Sequence, residues 1–312
     1  MPESLKSTLI ADLLLARRLE STDAWVSLLS AQIHAQLHPA SGVIAEPVAG
    51  GYAVFTGVGS PLTQAIGVGM KGPVTEADME RLEAFFEVRG SPTQIDLCPL
   101  ADPSMVEQMG LRGYRLKEFS NMLVRPLREA GHHPSGDGPL RVQHCTPSED
   151  ELWASTVARG FAENLIVSDE NLTVLRSLFH RPDSICLLAW LEGRPVGGGA
   201  LAMHEGVAAL YGASTLPSFR RRGVQKAIIL TLMAHAVDGG CDVAYTLTKP
   251  GSVSQRNVER QHFVVAYTRA MMVKEVRECH TGFRTSSGKR VSSGAAAPVS
   301  RRISRHPPGP IR

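Results

Sequence analysis

The segment Tyr211-Gly-Ala-Ser-Thr-Leu-Pro-Ser-Phe-Arg-Arg-Arg-Gly-Val-Gln-Lys-Ala-Ile-Ile-Leu230 carries the residues best suited to chemistry. It reads as a strand, a sharp basic turn and an apolar helix. That order leaves the first N–H groups of a helix without partners and puts the positive end of its dipole beside three arginines. Such a terminus suits a phosphate-bearing ligand. Arg220, Arg221 and Arg222 add charge-assisted bonds to phosphate oxygens. Gly223 lets the backbone approach the ligand with no Cβ in the way. The alternative is a helix start with a solvated basic face.

A second segment adds context. Pro250-Gly-Ser-Val-Ser-Gln-Arg-Asn-Val-Glu-Arg-Gln-His-Phe263 follows about thirty residues later and reads as a short helix leading into a strand. Thr215-x-Pro217-x-x-Arg220-x-Arg222-Gly223-x-Gln225 resembles the acyl-CoA pyrophosphate loop of the GNAT superfamily of N-acetyltransferases, with Gln225 where that family has Gly or Ala. The Asn257 segment resembles the family's Ser-x-x-Asn-x-x-Arg-x-Gly-Phe pattern, with His262 in place of its glycine. The two motifs stand at the family's separation.

The resemblance implies acetyl-CoA as acyl donor and an amine of a small molecule or peptide as acceptor, with no metal. It implies backbone contacts from Ser214, Thr215 and Leu216 to the pantetheine and thioester. Arg220, Arg221, Arg222, Gly223, Val224, Gln225 and Lys226 would hold the pyrophosphate, and Asn257 the pantetheine arm. The tyrosine that many members place five residues before the phenylalanine falls on Val258. Substitutes for that proton donor are Ser254, Tyr267 and Tyr211, with Ser254 best placed. Glu163, His204 and Glu205 border the expected acceptor cleft as candidate bases, unless a water relay or a neutral amine makes one unnecessary. A non-catalytic acyl-CoA sensor or scaffold is the competing reading.

The elements that must position these residues fall into two similar halves. From Leu140 the pattern reads strand, two helices, three strands, the basic-loop helix, a strand at Asp242–Leu247, the Asn257 helix and a final hairpin to about Val276. From the start it reads two helices (about Leu5–Leu19 and Asp23–His38), three strands, a helix opened by Thr75-Glu-Ala-Asp78, a strand, a helix and closing strands within Tyr114–Arg125. The fold class is therefore α/β with a mixed sheet, in two tandem GNAT-like domains. A degenerate copy spans residues 1–128, a linker 129–139, the acyl-CoA-binding copy 140–278 and a basic tail 279–312.

In the first half Gly67-Val-Gly-Met-Lys-Gly72 matches Gly-x-Gly-x-x-Gly literally. Pro73 follows it, the strands before it read as a meander, and no acidic residue ends a paired second strand. The segment reads instead as a degenerate copy lacking the arginine loop, with a structural role or a share in shaping the acceptor site.

Composition limits the alternatives. The chain has 312 residues, more than one hydrophobic core usually holds, with 43% hydrophobic and 20% charged. Its five cysteines, Cys98, Cys145, Cys186, Cys241 and Cys279, form no Cys-x-x-Cys pair. The adjacent His132 and His133 cannot face one metal as a helical pair would. No apolar run nears the roughly 20 residues that span a bilayer, and Leu9–Arg17 reads as an amphipathic helix and not a signal peptide. A cytoplasmic location is the expectation. Seven Lys and Arg lie beyond His280 with no Asp or Glu among them, so the rest of the chain is at −4 although the whole is at +3. That tail is Ser-, Gly-, Ala- and Pro-rich and is expected to be solvated, not a nucleic-acid site.

Overall fold

In the computed structural model, which describes residues 11–127, 138–161 and 168–276, the chain opens with one 25-residue helix, α1 (Leu13–Leu37), where two were expected. Asp12 caps it, accepting from the Leu15 N–H at 2.8 Å. Ser21-Thr22-Asp23 mimics a second helix start, yet without Gly or Pro nothing stops the first. Glu20 and Thr22 are instead buried.

The first half continues with β1 (Ile44–Val48), β2 (Gly51–Phe55), β3 (Gln64–Ile66), α2 (Glu76–Glu87), β4 (Thr93–Leu97), α3 (Pro103–Leu111) and β5 (Arg115–Pro126). The second contains β6 (Leu140–His144), α4 (Asp150–Phe161), α5 (Asp169–Phe179), β7 (Ser184–Leu191), β8 (Arg194–His204), β9 (Val207–Thr215), α6 (Val224–Asp238), β10 (Val243–Thr248), α7 (Val253–Glu259) and β11 (Val264–Lys274). His132, His133 and Glu163, most of the expected linker and the tail lie outside the described residues.

The expected final hairpin of the second half and the closing strands of the first are each one long strand, and the two are exchanged. The sheet order is β1-β2-β3-β4-β11-β5-β10-β9-β8-β7-β6. Thus β11, the last strand of the second half, pairs antiparallel with β4 of the first, and β5 pairs antiparallel with β10. The two exchanged strands pair with each other down the centre. The cores follow the exchange. Leu123 of β5 is buried in the cluster formed by Ile228, Leu232 and Phe263. Met272 of β11 packs against the Met79, Leu82 and Phe86 cluster of the first half. Cutting at residue 128 would strip each half of a strand it uses.

Side chains divide the helices between two faces. Ala16 and Leu19 of α1 join Ala209, Tyr245 and Tyr267 on one face, where Trp153 of α4 also packs against Leu188 and Ala200. The helix α6 packs on the opposite face, against Leu187, Leu201 and Leu210.

Candidate active site

Parallel strands β9 and β10 pair at only three positions, Val243–Val207, Ala244–Ala208 and Tyr245–Ala209. Beyond Tyr245 they separate, and β9 bulges, two residues (Gly212 and Ala213) lying opposite Gly199. Gly212 takes the left-handed φ of +70° that this irregularity needs. Helices press on both faces here because Gly197-Gly198-Gly199 has no side chains. A Cβ on Gly199 would meet Ile228 of α6 at 2.7 Å, and one on Gly198 would meet Val157 of α4 at 2.8 Å.

The loop from β9 into α6 opens at this splayed end. Arg221 has φ +65° and Gly223 φ +78°. Gly223 is the N-cap of α6 and no side chain caps the helix, whose first turn has no acidic residue. From Arg221 to Lys226, six consecutive backbone N–H groups have no acceptor among the described residues. Together they form a concave run of donors at a helix terminus, the geometry that receives phosphate oxygens. A Cβ built on Gly223 meets nothing within 4 Å, so the space in front of the loop is open.

The basic side chains have separate tasks. Arg220 donates from Nη2 to the Gly160 carbonyl at 3.1 Å, fastening the loop to α4. Arg222 lies over the Phe219 ring, 5.5 Å from its centroid. None of Arg220, Arg221, Arg222 or Lys226 has a carboxylate partner among the described residues. The charge at the loop is therefore uncompensated.

Gln225, the residue that departs from the expected motif, reaches into the splay. Its Nε2 donates to the Ala213 carbonyl at 2.9 Å, and its Oε1 accepts from Asn257 Nδ2 at 2.6 Å. One carboxamide thus joins β9, α6 and α7 across the gap. Val224 is buried in the core below. Two buried hydroxyls flank the gap without partners among the described residues, Thr215 Oγ1 at the end of β9 and Thr248 Oγ1 at the end of β10. Ala213 and Thr248 are additions that the sequence motifs did not single out. A bulge and a strand end show only once the pairing is known.

The other two candidates for backbone contacts each make one bond to a neighbouring element. Ser214 Oγ donates to the Val157 carbonyl at 3.0 Å, and the Leu216 N–H donates to the Val196 carbonyl at 2.9 Å. Ser214 therefore anchors α4, and Leu216 closes the β8 edge.

The candidate proton-transfer residues separate in space. Ser254 is half-buried, three residues before Asn257 on α7 and so on the same helix face, toward the splay. Its hydroxyl has no side-chain partner among the described residues. Val258, at the position of the expected tyrosine, is in the core.

Tyr267 is not at the splay. Its hydroxyl donates to Glu20 Oε1 at 2.7 Å in a buried network, and burial pushes its ionisation far up. In that network Arg269 meets Glu20 at 2.8 Å, Asp23 at 2.6 Å and Asp96 at 2.9 Å. Burial raises the Glu20 and Asp96 carboxyls, with Arg269 pulling against it. Tyr211 is tied to Ser184, and burial raises its ionisation too.

Glu205 lies in the turn before β9 and His204 ends β8, at the end opposite the splay, roughly 25 Å away by strand rise. His204 stacks on Trp25 of α1 with centroids 4.7 Å apart. Neither Tyr267 nor Glu205 is brought to the loop, because register and strand direction, which motif spacing does not contain, put them elsewhere.

The first half has the matching positions in closed form. Strands β3 and β4 are also parallel, paired at Ala65–Ile95 and Ile66–Asp96. Val68 and Met70 are buried in the loop that follows. The Gly69 N–H donates to Ala49 at 3.0 Å, its carbonyl accepts from Asp102, and Arg17 Nε donates to the Met70 carbonyl at 2.8 Å. Thr75 and Asp78 then cap α2 reciprocally. The glycine fingerprint here makes a locked turn.

Residues 151–263 match the family model described as acetyltransferase (GNAT) family. No match was found among curated protein sequences. A GCN5-related N-acetyltransferase from Kribbella flavida superposes with a TM-score of 0.56 at 18% identity, covering 79% of this chain and 95% of that one. A tandem GNAT protein from the clavulanic acid biosynthesis pathway, solved without AcCoA, gives 0.52 at 12% identity, covering 86% and 97%. These structures share the fold of both halves. Among the described residues no helix is long and apolar enough to cross a membrane, and no cluster of His, Cys, Asp or Glu could hold a metal.

Proposed function

We propose that this chain, whose residues 151–263 match the acetyltransferase (GNAT) family model, is an acetyl-CoA-dependent N-acetyltransferase acting on an amine of a small molecule or peptide. The observation that carries this reading is the run of six unpaired N–H groups from Arg221 to Lys226 at an uncapped, acid-free helix start. Three arginines and a lysine surround that run with no carboxylate among the described residues to neutralise them. The site fits a pyrophosphate, since Gly223 leaves the space before the loop open.

Acetyl-CoA supplies an acyl thioester whose carbonyl carbon would bond to the amine nitrogen as the C–S bond breaks, the amine passing one proton to water, from which the proton donor to sulfur is restored. The loop N–H groups and Arg222 would hold its phosphates and fix its approach. Asn257 and the Ala213 carbonyl offer a donor and an acceptor to an amide-bearing arm once the Gln225 carboxamide swings out from between them. Ser254, on the same face of α7, is placed to give a proton to the departing sulfur. Val258 supplies no phenol, and this favours the alternative of a non-catalytic acyl-CoA sensor. Release of CoA in the presence of amine would exclude that alternative.

The donor reading is tested with Gly223→Glu. A carboxylate in front of the loop should lower acetyl-CoA affinity at least 100-fold, about 2.7 kcal/mol, relative to Gly223→Ala, which carries the same backbone strain at φ +78° without the charge. Unchanged affinity would overturn the reading.

A further inference from the structure

A cleft of about 590 Å³ lies apart from the loop, lined by residues of β3, β4, β5, β11 and the turn before β3. That volume is typical of small-ligand sites. It belongs to neither half alone, because β11 entered the first half by exchange.

Strand directions place it. The last residue of β10, Thr248, lies opposite Asn121 of β5. Since β5 is antiparallel to β10, its earlier residues Arg115–Glu118 lie beyond Thr248, in the direction in which β9 and β10 separate. Lys249, the next residue after β10, reaches Glu118 on the cleft rim at 3.0 Å. The cleft therefore lies one strand from the gap, past the end of β10. It also lies on a definite face. Met271 is opposite Asp96, whose carboxylate meets Arg269 beneath α1, and Gln94 and Val273 are one repeat further along that face. This is the face opposite α6 and α7. A donor held by those helices and an acceptor in the cleft would meet through the gap from opposite sides.

The lining indicates the acceptor's chemistry. Arg115 is near Glu275 at 4.0 Å and Glu118 is paired with Lys249, so four charges cancel. Lys117 is left over: its ammonium donates to Gln94 Oε1 and has no carboxylate partner among the described residues. Gln64 and Gln94 offer amides, while Leu116, Met271 and Val273 offer apolar wall. From Asn121 to Lys117 is four residues of strand, about 13 Å. An extended peptide covers that length with three or four residues.

We infer that this cleft is the acceptor site and that it takes a short peptide, its N-terminal amine at the splay and its C-terminal carboxylate at Lys117. The inference rests on the donor reading above. It uses binding at a remote charge to align the reacting amine.

The test measures CoA release from acetyl-CoA with three acceptors, tri-alanine, its C-terminal amide and free alanine, in the full chain and in Lys117→Met. The expected kcat/KM for tri-alanine exceeds that for the amide at least tenfold, and alanine is a poor substrate. In Lys117→Met the preference of acid over amide falls below threefold with acetyl-CoA affinity unchanged. Equal rates for acid and amide, an undiminished preference in Lys117→Met, or no transfer to any of the three while acetyl-CoA still binds would overturn the acceptor assignment alone. Failure of acetyl-CoA to bind would overturn the donor reading on which it stands.

Discussion

Two helices, α2 after β3 and α6 after β9, begin at corresponding points of the two halves, each following a strand that belongs to a parallel pair. At α2 the Asp78 N–H donates to Thr75 Oγ1 at 3.2 Å, and Asp78 Oδ2 accepts from the Thr75 N–H at 2.9 Å. Glu76 and Asp78 set negative charge on its first turn. At α6 the cap is a glycine without a side chain, and the charge is positive. One terminus has satisfied its own donors and would repel an anion; the other leaves them for a ligand. The space below differs as well. Beneath β4 the Arg269 network fills the interior with protein charge, whereas beside β9 the uncharged Gln225 carboxamide crosses the gap. A fold repeated within one chain thus does not repeat a site. On the proposed reading, a few capping and filling residues decide which copy binds.

The largest expected effect comes from breaking the closed side. Arg269→Met leaves Glu20, Asp23 and Asp96 without their shared cation and should cost about 3–5 kcal/mol in urea unfolding. A loss under about 1 kcal/mol would show that the network does not hold the exchanged strand in place. On the open side, Gln225→Ala removes the group that occupies the gap. Acetyl-CoA should then bind about three- to tenfold more tightly by calorimetry, because no protein hydrogen bonds have to be exchanged on entry. Weaker binding would make Gln225 a ligand contact instead of a gate.

The smallest effect concerns the α2 cap. Thr75→Ala should cost about 1 kcal/mol without creating a second acetyl-CoA site. The Thr75 hydrogen bonds hold the Asp78 carboxyl below its ordinary range. The stabilisation from this pair is therefore present above the ordinary carboxylate range and is lost as pH falls through the lower folded value. The gap between parent and Thr75→Ala in pH-dependent unfolding should narrow on that side. A gap independent of pH would deny Asp78 its part in the cap.

The loop proposed to hold the donor was legible in sequence because it is local. An arginine run, one glycine and a helix start are neighbours in the chain, and the Asn257 segment carries its own turn and cap. The order of helices and strands was legible for the same reason. What escaped depends on distant partners. Ser21-Thr22-Asp23 looks like a helix start, and only Arg269 and Tyr245, more than 220 residues on, show why Asp23 stays inside one helix. The exchange of β5 and β11 leaves no trace in periodicity, since a strand reads the same whichever neighbour it pairs with. Tyr267 was a reasonable proton donor until register set it against Glu20, and Glu205 until strand direction put it at the far end of β9. The cleft at Lys117 assembles from four strands of both halves, so no motif spans it.

The central claim is that one copy binds the donor and the other does not. Calorimetric titration of acetyl-CoA into the full chain tests it most directly. One site per chain is predicted; two sites, or none, would contradict it.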